Sequence, residues 1–150
     1  MDILSTLKRL TLLPAIMLVS IGVSASVYAT HDDVVIVAHY QQGELKLTKS
    51  EISNLFMGGV LKHGLTPVAL PPENLTRVLF NTKVIGLTES RIQSYWAQMR
   101  FSGRKKPPQE FKTEAELLQY IEQTPGTIAY LSAKTEIPEQ LIKVYSTVQF

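Results

Sequence analysis

The chain has 150 residues, a formal net charge of +2 at pH 7 and no cysteine. The lack of cysteine excludes disulfide bridges and thiol chemistry. The nearly neutral charge gives no support for general binding to nucleic acid. The length predicts one domain, large enough for a hydrophobic core of its own.

The first 29 residues predict a secretory signal peptide. Lys8–Arg9 gives a positively charged start, and a long uncharged, apolar stretch follows it. Val27 and Ala29 place compact side chains at the two positions that signal peptidase reads. We expect cleavage after Ala29, which leaves a periplasmic domain over residues 30–150. The alternative is an uncleaved anchor, because the uncharged stretch is about long enough to span a bilayer.

The predicted domain begins with a strand and a helix. Val34–Ala38 is a continuous apolar run, rich in β-branched residues, which predicts a strand buried on both faces, as in a parallel sheet. Thr48 and Glu51 have the spacing of a capping box, so a helix is expected to start there. The side chains expected to face inward on this helix are Ile52, Leu55 and Phe56.

A short strand and two helices are expected next. Thr66–Leu70 predicts the strand, and Asn74 and Thr88 are the predicted N-caps of the helices. The inward residues expected on the first of these helices are Leu75, Val78 and Leu79. Those expected on the second are Ile92, Tyr95, Trp96 and Met99, at helical spacing.

The last third of the chain adds a loop, a helix and two strands. Residues 101–108 predict the loop, and a second capping box at Thr113–Glu116 begins the helix. Its expected inward residues are Leu117, Leu118 and Ile121. Thr127–Leu131 and Ile142–Ser146 predict the strands. The alternation of strands and helices predicts an α/β fold, with a central, mostly parallel sheet flanked by helices.

Residues able to support catalysis do not form a recognisable set. The chain has no nucleophile elbow and no phosphate-cradling glycine loop. His39 ends a buried strand and is expected to be structural. His31, Asp32 and Asp33 could hold a metal ion, but they lie where a mature chain would fray. We therefore expect no enzyme activity, no cofactor and no metal site.

One loop carries most of the concentrated positive charge. Its basic residues are Arg100, Arg104, Lys105 and Lys106. Such a loop can hold an anion or contact an acidic partner. The simpler interpretation is a solvated surface loop, since short runs of charge are common on protein surfaces.

Five segments, in this order, resemble the periplasmic phosphate-binding proteins of ABC transporters. They are Leu47–Gly58, His63–Val68, Arg77–Phe80, Tyr95–Gly103 and Pro125–Tyr130. Together they cover most of the predicted domain, and they are similar to those of short, single-domain relatives. The resemblance implies the fold of one lobe of a type II periplasmic binding protein.

The chain departs from these proteins where they hold the anion. The phosphate-binding proteins that the chain resembles close two lobes over phosphate, one of them with a Gly-Ser-Gly-Thr segment at a helix start, whereas the predicted domain here has room for only one lobe. The matching stretch here, Ala69–Arg77, lacks that segment and contains Glu73, whose charge would oppose an anion. Ala129 also replaces a glycine of the family's strand motif.

Two functional hypotheses follow. The first is a periplasmic solute-binding-like protein that binds phosphate or another oxyanion weakly, through Asn74, Thr76 and Arg77. The second is an interaction or sensing module without a ligand, which docks on another cell-envelope protein through the basic loop. Neither hypothesis requires nucleic acid or stable membrane insertion after signal cleavage.

Overall fold

The computed structural model describes residues 33–103 and 105–148. The predicted signal peptide and Arg104 lie outside the described residues. No helix within the described residues is both long and apolar enough to cross a bilayer. The elements, in chain order, are β1 (Val34–Ala38), α1 (Lys49–Phe56), β2 (Thr66–Ala69), α2 (Leu75–Phe80), a π-helical segment (Asn81–Ile85), α3 (Glu89–Phe101), β3 (Gln109–Glu110), α4 (Glu114–Gln123), β4 (Thr127–Ser132) and β5 (Ile142–Ser146).

The strands of the described residues form one five-stranded sheet in the order β3-β2-β4-β1-β5. β2 pairs in parallel with both β3 and β4, whereas β1 pairs antiparallel with both β4 and β5. Four strands therefore run in one direction and β1 runs against them, so the prediction of a mostly parallel α/β sheet is confirmed. The predicted burial of β1 on both faces is confirmed, but the expectation of a parallel arrangement is wrong for this strand, because it pairs antiparallel with both of its neighbours.

The core is built on the two central strands. All five residues of β1 are buried, as are the first five residues of β4. An aromatic cluster fixes the helices to this sheet: Phe80 of α2 stacks on Tyr130 of β4, with ring centroids 4.1 Å apart. Phe56 of α1 contacts Phe80 edge-on at 4.7 Å. The cluster therefore places the end of α2 next to the middle of β4.

The helix starts match the sequence prediction to different degrees. The capping box of α1 is confirmed, because the Thr48 amide donates to Glu51 and the Glu51 amide donates to Thr48 Oγ1. At α4, the Glu116 amide donates to Thr113 Oγ1, but the Glu116 carboxylate accepts from the Lys112 amide. The second capping box is therefore only half formed.

The inward face predicted for α2 is wrong. Leu75 and Val78 are 63% and 44% exposed, and Leu79 is only partly buried. The buried residues of this helix are Thr76, Arg77 and Phe80. The reason is that Thr76 and Arg77 find carboxylate partners inside the fold, and these contacts determine the orientation of so short a helix.

Candidate functional site

A cleft of about 410 Å³ lies between α2, α3 and the sheet. Its walls are largely aromatic and aliphatic, and they include Phe80, Trp96 and Tyr130. The charged residues that line it are Arg77, Arg100 and Glu110. The cleft therefore combines apolar walls with a small charged cluster, which is typical of ligand sites in proteins.

The guanidinium group of Arg77 is engaged on every side by the protein. Its Nη1 donates to the Leu70 carbonyl oxygen at 2.6 Å and to Glu110 Oε1 at 2.5 Å. Its Nε and Nη2 donate to the two oxygens of Glu89, at 3.0 and 2.7 Å. The Arg77 side chain is only 7% exposed. The pairing with Glu89 is bidentate, the strongest arrangement of this ion pair.

The electrostatics of this cluster favour the charged forms. Burial opposes the charge on Arg77, but the hydrogen bonds to Glu89 and Glu110 outweigh burial and raise the pKa of the guanidinium. Burial likewise opposes ionisation of Glu89, and its bonds from Arg77 and Gln93 prevail and lower the pKa of this carboxyl. The Asn81 side-chain amide donates to Glu89 as well, at 2.7 Å. One cation and two carboxylates leave the cluster with a net negative charge.

Asn74 and Thr76 lie beside Arg77 but also have partners within the fold. Asn74 Oδ1 caps α2 by accepting from the Thr76 amide at 2.9 Å. The Thr76 hydroxyl donates to Glu114 at 3.2 Å. Glu114 accepts further bonds from the Ser132 amide, at 2.7 Å, and from the hydroxyl of Thr135. The structure therefore brings the three predicted oxyanion residues together, and it uses each of them inside the protein.

Sequence reasoning missed the partners of these three residues. Glu89, Glu110 and Glu114 are separated from Arg77 by 12 to 37 positions in the sequence. The sequence motif around Arg77 contains no signal for them, since Glu89 and Glu114 fit the pattern of acidic residues in the first turn of a helix. Their position around α2 depends on the fold.

Tyr130 closes the floor of the cleft. Its hydroxyl accepts from the Leu70 amide at 3.0 Å, and burial raises the pKa of the phenol. Tyr130 is therefore neutral at physiological pH. Its aromatic ring holds α2 in place, so its role in the site is to shape the wall.

The basic loop follows α3, and Arg100 at its start also lines the cleft. Arg100, Lys105 and Lys106 are exposed, and none of them forms an ion pair with a carboxylate of the described residues. The turn after α1 runs close to this loop, because a Cβ atom added at Gly58 would lie 2.8 Å from Lys105 Cδ. We call residues 58–62, 100–103, 105 and 106 the cationic tip.

The histidine and aspartate candidates have structural roles where they are described. The expectation for His39 is confirmed: it is buried, and its Nδ1 lies 2.8 Å from the Ile121 carbonyl oxygen. Asp33 pairs with Lys83 at 2.9 Å, whereas His31 and Asp32 lie outside the described residues. Within residues 33–103 and 105–148, no group of three His, Asp or Glu side chains could hold a metal ion.

The sheet, the helices and the cleft define one lobe of a type II periplasmic binding protein-like fold. The structure is similar to that of an ABC-type phosphate transport receptor from Vibrio cholerae, with a TM-score of 0.53 and 12% sequence identity over 74% of this chain. It also matches PstS from Borrelia burgdorferi, with a TM-score of 0.48 and 9% identity over 67% of this chain.

The chain spans 44% of the Vibrio receptor and 40% of the Borrelia protein. No family model matches the sequence, and no curated protein matches it. At 12% identity, the likeness to the Vibrio receptor concerns the fold. The resemblance of motifs and the structural match therefore agree on the architecture of one lobe.

Proposed function

We propose that this protein is an exported, single-lobe, solute-binding-like domain that acts as an interaction module at the cell envelope. In this proposal it neither carries out catalysis nor holds phosphate at Arg77. The observation that carries the proposal is the state of Arg77, the cation best placed to hold an oxyanion. Two carboxylates and a carbonyl oxygen already occupy its guanidinium.

The charge of the cluster around Arg77 supports this interpretation. An oxyanion that approached Arg77 would meet Glu89 and Glu110, and the cluster of three side chains is already negative in sum. A like charge at close range disfavours a bound anion. An arriving anion would also have to displace bidentate, largely buried hydrogen bonds. The geometry therefore favours Arg77 as a structural residue.

The cationic tip supplies the surface for an external partner. Its described basic residues are exposed and have no carboxylate partner among the described residues. Unpaired surface cations attract acidic surfaces and accelerate association with them. We therefore place docking at the cationic tip, in agreement with the second hypothesis from the sequence.

Envelope binding tests this proposal. Protein recovered after export, with its N-terminus established by intact mass, is sedimented with envelope membranes of the producing cell. We expect the double variant Lys105→Glu/Lys106→Glu to remain in solution, whereas the matched surface variant Lys49→Glu/Lys112→Glu sediments like the unchanged protein. Equal sedimentation of all three proteins would contradict docking through the cationic tip.

Weak oxyanion binding is the second candidate function. It is favoured by the convergence of Asn74, Thr76 and Arg77 at the start of α2. A ligand at 100 times its dissociation constant would stabilise the fold by about 2.7 kcal/mol. Thermal unfolding in millimolar phosphate, sulfate and molybdate measures this directly. A midpoint raised by several degrees, and unchanged by anions in an Arg77→Met variant, would establish this function; we expect no such increase.

A further inference from the structure

Two loops at the cationic tip contain basic residues and no acidic ones. Residues 57–66 and 99–108 include no Asp or Glu. Their basic residues are Lys62, Arg100, Arg104, Lys105 and Lys106. Lys62 is exposed like the other described members of this set. The surface formed by the described residues of these loops, which include Lys62, Arg100, Lys105 and Lys106, is therefore strongly positive in a domain that is nearly neutral as a whole.

The same two loops carry the most exposed large apolar side chains. Among the described residues, the exposed large hydrophobic side chains are Val60, Leu75, Val78 and Phe101. Phe101, the last residue of α3, is 97% exposed, and Val60, in the turn after α1, is 87% exposed. A fully exposed phenylalanine contributes nothing to the core. Its position beside Arg100 suggests that a partner covers it.

The two loops form one surface. Lys105 Cδ lies next to Gly58, as the distance of 2.8 Å from a Cβ at that position shows. Val60 and Lys106 line the same small cleft, of about 270 Å³. Apolar and basic side chains are therefore mixed within one region at the end of α1 and α3.

We infer that the cationic tip docks on an anionic lipid bilayer, with Phe101 and Val60 placed at the level of the headgroups. Exposed aromatic and aliphatic residues flanked by Lys and Arg are the combination that binds peripheral proteins to such surfaces. The basic residues attract the anionic headgroups, and the two apolar side chains leave water. This inference rests on the proposed docking function and names the partner as lipid.

Charge and apolar exposure together favour a bilayer over an acidic protein. Attraction to an acidic protein surface needs the basic residues, but it does not need two nearly fully exposed apolar side chains on neighbouring loops. A bilayer uses both, because its interface accepts amphipathic side chains of many shapes without a preformed pocket. The two apolar side chains also distinguish this surface from an ordinary solvated basic loop.

Vesicle sedimentation with the exported protein tests the inference. We expect binding to vesicles of phosphatidylglycerol mixed with phosphatidylcholine, and no binding to phosphatidylcholine alone. Lys105→Gln/Lys106→Gln should weaken binding by roughly 30-fold, from the contribution of each basic residue near a lipid surface. Phe101→Ala should weaken it by about tenfold, because less apolar surface leaves water.

The matched control is Lys49→Gln/Lys112→Gln, which removes two exposed lysines outside the cationic tip and should bind as the unchanged protein does. Emission of Trp96, the chain's one tryptophan, reports whether each variant keeps its fold.

A Phe101→Ala variant that binds as tightly as the unchanged protein would contradict the proposed contact of this side chain with the headgroups. Binding to envelope membranes without binding to the vesicles would overturn lipid as the partner and leave the docking function standing. Loss of both would remove both proposals.

Discussion

Positive charge is buried and paired at Arg77, but it is exposed and unpaired with described carboxylates at the cationic tip. Arg77 is 7% exposed and is held by two carboxylates and a carbonyl oxygen. Arg100, Lys105 and Lys106 are exposed, and no carboxylate of the described residues pairs with them. The contrast shows that a basic residue in a motif does not by itself mark a ligand site.

The physical reason for the contrast is desolvation. A buried cation without partners is very costly, so the fold must supply carboxylates around Arg77 before the chain can bury it. An exposed cation keeps its water and remains available to an external surface. The buried region should therefore respond to mutation through stability, and the cationic tip should respond through binding.

Removal of the buried cation should have the largest effect on stability. Arg77→Met leaves Glu89, Glu110 and the Leu70 carbonyl oxygen without their shared donor. We expect a loss of about 3 kcal/mol in the free energy of unfolding, seen as a melting temperature lower by about 10 °C. Arg100→Met is the matched control and should stay within about 0.5 kcal/mol. Equal melting temperatures for the two variants would erase the distinction between the two regions.

Glu114 extends the buried region to the other polar residue of α2. Glu114→Ala leaves the Ser132 amide and the Thr76 hydroxyl without their acceptor, so we expect a loss of about 2 kcal/mol on chemical denaturation. Glu116 lies in the same first turn of α4, but it is exposed. Glu116→Ala should cost about 0.5 kcal/mol. Similar losses for both would mean that Glu114 acts only through the helix dipole.

The pH dependence of stability should originate in the buried region. The pKa of Glu89 is lowered in the folded protein from its ordinary value of 4.5. Its stabilising contribution is therefore present above pH 4.5 and is lost as the pH falls through the lowered value. We expect the free energy of unfolding to decrease on acidification in this range. In Arg77→Met the decrease should be smaller, because the cation that lowers the pKa is absent; equal slopes would contradict this account.

The sequence was sufficient for the elements whose causes are local. β1 could be predicted from a continuous apolar run, and α1 from a capping box and three apolar residues at helical spacing. The structure confirms both. The direction of β1 could not be predicted, because it depends on pairing with β4 and β5 at the far end of the chain. The two-residue β3 lacks any local signal, since it exists only through its pairing with β2.

The orientation of α2 and the partners of Arg77 could not be predicted from local sequence patterns. Local pattern pointed to Leu75 and Val78 as the inward residues of α2, but carboxylates far along the sequence turned Thr76 and Arg77 inward. The family resemblance found Arg77, but it could not show that Glu110 on β3 would face it. A motif identifies which residues occupy a position, and only the packed fold determines whether their hydrogen bonds remain free for a ligand.

The smallest change in stability is expected for the variant of the cationic tip, and this variant tests the contrast with Arg77 most directly. Lys105→Gln/Lys106→Gln removes two charges, one more than Arg77→Met, yet both side chains are exposed and have no carboxylate partner among the described residues. We expect the free energy of unfolding to stay within about 0.5 kcal/mol of the unchanged protein, while binding to anionic vesicles weakens by roughly 30-fold. If denaturation shows a loss near that of Arg77→Met, the lysines are structural, and the division between a buried region for stability and an exposed region for docking fails.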